Sequence, residues 1–82
     1  MSESVVKKLL EIFQNILDVE ISENEFLKGN LIENLSIDSL IALQLITEIE
    51  KNFHIIIEED ELAIKLIDSP SYFIDYYKKY QS

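Results

Sequence analysis

The segment from residue 31 to residue 53, LIENLSIDSLIALQLITEIEKNF, decides the fold. Its first part has no regular apolar periodicity, and Asp38-Ser39 then supplies two residue types that favour a helix start. From there to about Asn52, no Gly or Pro interrupts the chain. At about 100° per residue, one face of this stretch collects the apolar residues Ala42, Leu45, Ile46, Ile49 and Phe53. The pattern therefore predicts a long amphipathic helix with one face in the core.

The opposite face of this helix is polar, but its first turns also carry apolar residues. Its polar residues are Gln44, Thr47, Glu48 and Lys51. Leu40 falls among them, while Leu43 and Ile41 lie on the two borders. Apolar side chains that face solvent give an isolated monomer no advantage. We therefore predict a partner-binding surface beside Ser39, formed by Leu40, Ile41, Leu43, Gln44, Thr47 and Glu48.

Before this helix, the pattern predicts a first helix followed by a long loop. One helical face is formed by Val5, Leu9, Ile12, Phe13 and Ile16. This spacing predicts an amphipathic helix over residues 3–17. Between residues 18 and 37 the periodicity lapses, and Gly29-Asn30 offers a turn. Loops of this length in small domains are usually functional.

After the long helix, two more helices are expected. The β-branched run Ile55-Ile56-Ile57 has no partner strand and is interpreted as a buried connector. A short helix is predicted over 59–66, and Ser69-Pro70 marks the start of a last helix over 70–80. That helix offers the core Phe73, Ile74, Tyr77 and Tyr80. We expect one all-α domain over residues 1–82, a small four-helix bundle of three longer helices and one short helix.

Length and composition argue against an autonomous enzyme. A chain of 82 residues cannot enclose a deep catalytic cleft. It has no Cys, so it lacks a thiolate nucleophile and Cys-ligated zinc, and its single His54 cannot form a multi-histidine metal site. His54 is interpreted as a packing or capping residue. The sequence shows no membrane span and no signal peptide, which predicts a cytoplasmic protein.

The charge of the chain restricts its partners. Sixteen acidic residues and seven Lys give a net charge of −9, which repels nucleic acid and anionic membrane surfaces. Residues 18–61 contain twelve of these acids and two Lys, a local net charge of −10. Such a region either accelerates encounters with basic protein surfaces or simply keeps the protein in solution. The run Glu58–Glu61 lacks the alternating ligands and the central Gly of a calcium-binding EF-hand loop.

Ser39 is the residue with the strongest chemical implication. A helix N-terminus presents free N–H groups, which stabilise an anion attached to a hydroxyl at that position. By itself, Asp38-Ser39-Leu40 is also what an ordinary helix start looks like.

The stretch Leu31–Leu40 resembles the acyl and peptidyl carrier protein family, whose members read apolar-apolar-acidic-polar-Leu-x-x-Asp-Ser-Leu here. The run Ile57–Glu61 is similar to the apolar and then acidic start of the family's third helix, and Ile74-Asp75-Tyr76 is similar to its last helix. The helix after the serine matches the family at Leu43, Leu45, Ile46, Ile49, Glu50 and Phe53. The resemblance thus covers nearly the whole chain.

This resemblance implies a function for the serine. Ser39 would be esterified with 4′-phosphopantetheine, which a phosphopantetheinyl transferase takes from coenzyme A, and Asp38 would help to position the magnesium-bound phosphates during attachment. The arm would supply the thiol that the protein lacks, and its flexible tether would raise the effective concentration of the cargo at each partner. The carrier would be a monomer without catalytic activity of its own.

The resemblance also implies a class of partners. Leu40 and Leu43 would offer apolar contact to an acyl- or aminoacyl-loading ligase and to downstream synthase enzymes, while Glu48 and Glu50 would steer basic surfaces. Carriers of primary fatty acid synthesis usually have acidic residues at the positions of Ile41, Gln44 and Lys51, and many carriers have Gly at that of Ser36. The sequence therefore favours polyketide, nonribosomal-peptide or aminoacyl pathways over fatty acid synthesis.

Two other classes of function remain open at the level of sequence. One is an acidic helical adaptor that binds proteins without a prosthetic group. The other is a small enzyme that would use Asp38 with Ser39 or His54, although no complete catalytic constellation accompanies these residues. Mass spectrometry after incubation with coenzyme A and a transferase distinguishes a carrier from an adaptor.

Overall fold

The computed structural model describes residues 2–81, with side chains from residue 4 onward, and all regular secondary structure in this range is helical. The six helices are α1 (Ser2–Leu17), α2 (Glu23–Lys28), α3 (Leu31–Asn34), α4 (Ser39–Phe53), α5 (Asp60–Asp68) and α6 (Pro70–Gln81). The prediction of an all-α protein is confirmed. Within residues 2–81, no helix is both long and apolar enough to cross a membrane.

The predicted loop between the first two long helices contains two short helices, α2 and α3, and is therefore not a plain loop. Ser22 caps α2, because its Oγ accepts a hydrogen bond of 3.2 Å from the Glu25 N–H. Phe26 of α2 is buried edge-to-face against Phe13, with ring centroids 5.1 Å apart. Helices of six and four residues are too short to give a visible apolar periodicity. The helical content of this segment was therefore missed.

The core lies between α1, α4, α5 and α6, and α2 and α3 cover one side through buried anchors. On α4, the predicted core residues Leu45, Ile49 and Phe53 are buried, while Ala42 and Ile46 are half-buried at its edge. Their burial fixes the rotation of α4 about its axis. The opposite face of α4, which includes Leu40 and Leu43, is therefore turned to solvent.

Two of the predicted core elements are only partly buried. In the connector after α4, Ile55 and Ile57 are buried but Ile56 is exposed, as expected for an extended segment whose side chains alternate between two sides. The prediction that Tyr80 lies in the core is wrong. The last turn of α6 extends beyond the core, which leaves the Tyr80 side chain 47% exposed. Tyr77, one turn earlier, packs against the core.

His54 ends α4 in the left-handed conformation, with φ 56° and ψ 47°. Its backbone N–H and that of Ile55 both donate to the carbonyl oxygen of Glu50, which closes the last turn of the helix. The His54 side chain is exposed. The capping interpretation of this residue is therefore confirmed, and the packing interpretation is wrong.

Candidate functional site

The first turn of α4 is capped by Asp38. This residue has extended backbone angles, and its Oδ1 accepts a hydrogen bond of 2.8 Å from the Ile41 N–H. Its carbonyl oxygen accepts the first hydrogen bond of the helix, also 2.8 Å, from the Ala42 N–H. The sequence offered both Asp38 and Ser39 as caps, and the structure assigns the cap to Asp38. Ser39 is the first residue inside the helix.

The Ser39 side chain is exposed at this helix N-terminus. Within the described part of the chain, its hydroxyl has no hydrogen-bond partner. The N–H groups of Ser39 and Leu40 likewise have no acceptor among residues 2–81. Two free N–H groups and the positive end of the helix dipole favour a negative charge next to this hydroxyl. The site therefore fits a phosphate ester on Ser39.

The surface next to Ser39 is apolar, as the helical pattern predicted. Leu40 is 66% exposed and Leu43 is 63% exposed. Gln44 and Thr47 extend this surface along α4 and are also exposed. Thr47 donates its hydroxyl to the Leu43 carbonyl oxygen at 2.9 Å, so this hydroxyl is left to partners only as an acceptor.

The two remaining members of the predicted partner surface are less accessible. Ile41 is half-buried and packs against the core, because it lies on the α4 border that faces the rest of the bundle. Glu48 is half-buried, and its carboxylate lies 3.8 Å from the Lys51 ammonium group. Leu40 and Leu43 therefore form the apolar centre of the surface, and Ile41 contributes only its edge.

A groove of about 510 Å³ begins at Ser39 and runs between α4 and α5. Its apolar lining consists of Ala42, Leu43, Ile46, Ile57, Ala63, Ile64 and Ile67. Glu50, Glu59 and Asp60 add carboxylates to the lining. This groove was not predicted from the sequence, because the exposure of Ile64 on its α5 wall becomes visible only once α4 and α5 are packed.

The residues proposed for catalysis are not brought together. Ser39 and His54 lie at opposite ends of α4, about 22 Å apart at 1.5 Å per residue. Among the described residues, no group of three or more His, Asp or Glu side chains is arranged to hold a metal ion. The geometry gives no catalytic constellation that joins Ser39 to His54.

A comparison with protein-family models matches residues 7–71 to the family described as phosphopantetheine attachment site. The match covers most of the chain and includes all of α2–α5. The chain belongs to this family. No curated protein and no solved structure was found to match it.

Membership in the phosphopantetheine attachment family settles the main alternatives. Such domains carry covalently attached 4′-phosphopantetheine and have no catalytic activity, so this protein is a phosphopantetheine carrier and not an enzyme. Membership also decides against an adaptor without a prosthetic group. As carriers in general do, the protein interacts with a phosphopantetheinyl transferase and with synthase or ligase enzymes.

Proposed function

We propose that Ser39 is the attachment residue and that residues 1–82 form one carrier domain, which acts as a monomer in the cytoplasm. The observation that carries this proposal is the exposed Ser39 hydroxyl at the free N-terminus of α4. Two other serines in the matched region are engaged elsewhere. The Ser22 Oγ caps α2, and the Ser69 Oγ accepts the Tyr72 N–H at 3.3 Å.

In this proposal, Asp38 and the helix N-terminus prepare the attachment site. The Asp38 side chain holds the first turn of α4 in place through the Ile41 N–H, and the resemblance to carriers adds a role beside the magnesium-bound phosphates. The N–H groups of Ser39 and Leu40 stabilise the phosphate ester. When attached, the arm supplies the thiol that this Cys-free chain lacks. Acyl or aminoacyl groups are bound to this thiol as thioesters.

The groove between α4 and α5 provides a place for the arm or for an apolar cargo. It begins at Ser39, and its walls are apolar at Leu43, Ile46 and Ile64. Apolar contact along this groove would remove part of a bound acyl group from water. The arm and its cargo would then be released when a partner enzyme covers the same surface.

The surface beside Ser39 supports a role outside primary fatty acid synthesis. Leu40 and Leu43 form an exposed apolar centre, and neither Ile41 nor Gln44 places an acid beside it. We infer that the loading ligase and the synthase enzymes contact this surface mainly through apolar side chains. Polyketide, nonribosomal-peptide and aminoacyl pathways are the classes that the sequence favours.

The proposal is tested by intact-mass measurement after incubation with coenzyme A, Mg²⁺ and a broad-specificity transferase. We expect one phosphopantetheine adduct on the wild-type protein and none on Ser39→Ala. Ser71→Ala is the matched control, because Ser71 is an exposed serine within the matched region that also lies in the first turn of a helix. An adduct on Ser39→Ala, or its loss in Ser71→Ala, would contradict the assignment.

A further inference from the structure

The short helix α3, which leads into the Ser39 site, has its N-terminus capped from a distant part of the chain. Asn30 occupies the N-cap position in the left-handed conformation, and its side chain makes no capping hydrogen bond. The Ile32 N–H instead donates to Oδ1 of Asp68 over 3.1 Å. Asp68 is the last residue of α5, 36 positions further along the chain. The carboxylate of Asp68, on α5, thus caps the N-terminus of α3 in place of a local side chain.

The backbone at Gly29 also lies close to the junction between α5 and α6. Gly29 ends α2 with φ 82° and ψ −160°, a conformation that is accessible essentially only to Gly. A Cβ atom at this position would lie 3.6 Å from the carbonyl oxygen of Asp68 and 3.7 Å from Oγ of Ser69. Leu31, between Gly29 and Ile32, is buried. The start of α3 is therefore seated directly on the α5–α6 junction.

Ile32 connects this junction to the serine. Its N–H donates to Asp68, and its carbonyl oxygen accepts the Ile37 N–H at 2.9 Å. Ile37 is buried and is followed directly by Asp38, the cap of α4. One continuous chain of hydrogen bonds and buried anchors thus runs from Asp68 through Ile32 and Ile37 to the residue before Ser39.

We propose that Asp68 is a positioning residue for phosphopantetheine attachment, acting through Ile32 on the segment that precedes Ser39. This inference rests on the proposed attachment at Ser39. Asp68 does not belong to the groove beside Ser39, so it acts on the position of residues 31–38 and not on the reacting atoms. Without its carboxylate, the start of α3 has no cap, and the segment is in the competent arrangement for a smaller fraction of the time. The apparent affinity of the transferase for the carrier falls by that same fraction.

The experiment compares Asp68→Ala and Asp68→Asn with the wild type. Asn retains a side-chain oxygen that can accept the Ile32 N–H, whereas Ala does not. Asp75→Ala is the matched control, because it removes one exposed carboxylate from α6. Two quantities are measured: amide hydrogen exchange at Ile32 and Ile37, and steady-state kinetics of attachment with the carrier as the varied substrate. Circular dichroism checks the fold of each variant.

We expect Asp68→Ala to raise the KM for the carrier, by at most about fivefold, with kcat within about twofold, because losing one cap lowers the population of the competent arrangement by no more than that factor. Exchange at Ile32 should accelerate about tenfold or more, since the amide loses its acceptor. Asp68→Asn and Asp75→Ala should stay close to wild type in both measurements. Should Asp68→Ala not fold, Asp68→Ser takes its place, because it keeps a polar group but removes the carboxylate oxygen that accepts the Ile32 N–H.

An unchanged KM in folded Asp68→Ala, or in the Asp68→Ser variant that replaces it, would overturn the proposal. An Asp68→Asn variant that is as impaired as Asp68→Ala would also overturn it. A fall in kcat alone would also overturn it, because that result places the effect in the chemical step. The exchange measurement needs no attachment, so it still reports on the contact between Asp68 and Ile32 if Ser39→Ala proves to be loaded. Failure of this inference is thereby distinguishable from failure of the assignment of Ser39.

Discussion

The two ends of α4 are built differently. At the N-terminal end, one side-chain hydrogen bond, which Asp38 accepts from the Ile41 N–H, holds the first turn, and the leucines beside Ser39 are exposed. At the C-terminal end, the Phe53 ring packs edge-to-face against Phe73 and Tyr77, with centroid distances of 5.0 and 5.1 Å. Lys8 closes the same end, with its ammonium group 5.2 Å from the Phe53 centroid and 3.0 Å from the Asn52 carbonyl oxygen.

This difference separates stability from recognition along one helix. The buried aromatic cluster contributes to folding free energy, while the N-terminal surface presents side chains that partners can reach. Because the two ends lie about 21 Å apart, a change at one end leaves the contacts at the other intact. Substitutions at the two ends should therefore give separable effects on unfolding and on attachment.

The largest expected effect is on stability, at the C-terminal end. Phe53→Ala should lower the free energy of unfolding by about 3–5 kcal/mol, because it empties the centre of the aromatic cluster. Leu40→Ala, at the exposed end, should change it by less than about 0.5 kcal/mol. Urea denaturation measures both values. Equal losses in the two variants would remove the distinction between the ends.

The next effect is on partner binding, at the N-terminal end. Leu43→Asp places a charge in the centre of the apolar surface and should weaken partner binding by about 2 kcal/mol or more while helical circular dichroism is retained. Lys51→Ala serves as the control, since its exposed ion pair with Glu48 contributes little. Attachment kinetics and partner titrations measure the effect. Normal rates for a folded Leu43→Asp protein would contradict the docking surface around Leu43. The next candidate for that surface would then be residues 18–37.

A smaller effect on stability distinguishes Asp38, the cap of α4, from Ser39, the first residue of the helix. Asp38→Ala should lower the free energy of unfolding by about 1 kcal/mol, because the Ile41 N–H loses its acceptor. Ser39→Ala should change it by only a few tenths, within about 0.5 kcal/mol, since the serine is not the cap. Thermal or urea unfolding of the unmodified proteins measures both. A larger loss in Ser39→Ala than in Asp38→Ala would contradict the observed capping.

The smallest effect is a gain in stability at the C-terminal cap of α4. His54 holds the left-handed conformation that Gly adopts without steric penalty, and its side chain is exposed. His54→Gly should therefore raise the free energy of unfolding by about 0.5–1 kcal/mol. Denaturation of the variant tests this value, with attachment kinetics expected to be unchanged. A clear loss of stability would show that the imidazole makes a contact that stabilises this end.

The sequence predicted what depends on local pattern. The apolar periodicity of α4 placed Leu45 and Ile49 inside and Leu40 outside, because one helical period relates all three. Two features of the fold could not be predicted from local pattern, for physical reasons. The helices α2 and α3 are shorter than any useful periodicity window, and the hydrogen bond between Ile32 and Asp68 joins residues 36 positions apart through tertiary packing.

The chemistry of the site was predictable to a similar extent. Asp38-Ser39 is a local signal, so both residues were recognised, but only the backbone geometry shows which of them is the cap. The groove between α4 and α5 was not expected, because it depends on how two helices pack and not on either sequence alone. Tyr80 was placed in the core wrongly, since periodicity does not show where a core ends along a helix.

The most direct measurement of the central claim is tandem mass spectrometry of the loaded wild-type protein. Fragmentation locates the phosphopantetheine ester on a single residue and needs no substitution that could disturb the fold. The adduct should be found on Ser39, and fragments that contain Ser36 or Ser71 without Ser39 should be unmodified. An adduct on any residue other than Ser39 would contradict the proposed site and the role of the α4 N-terminus.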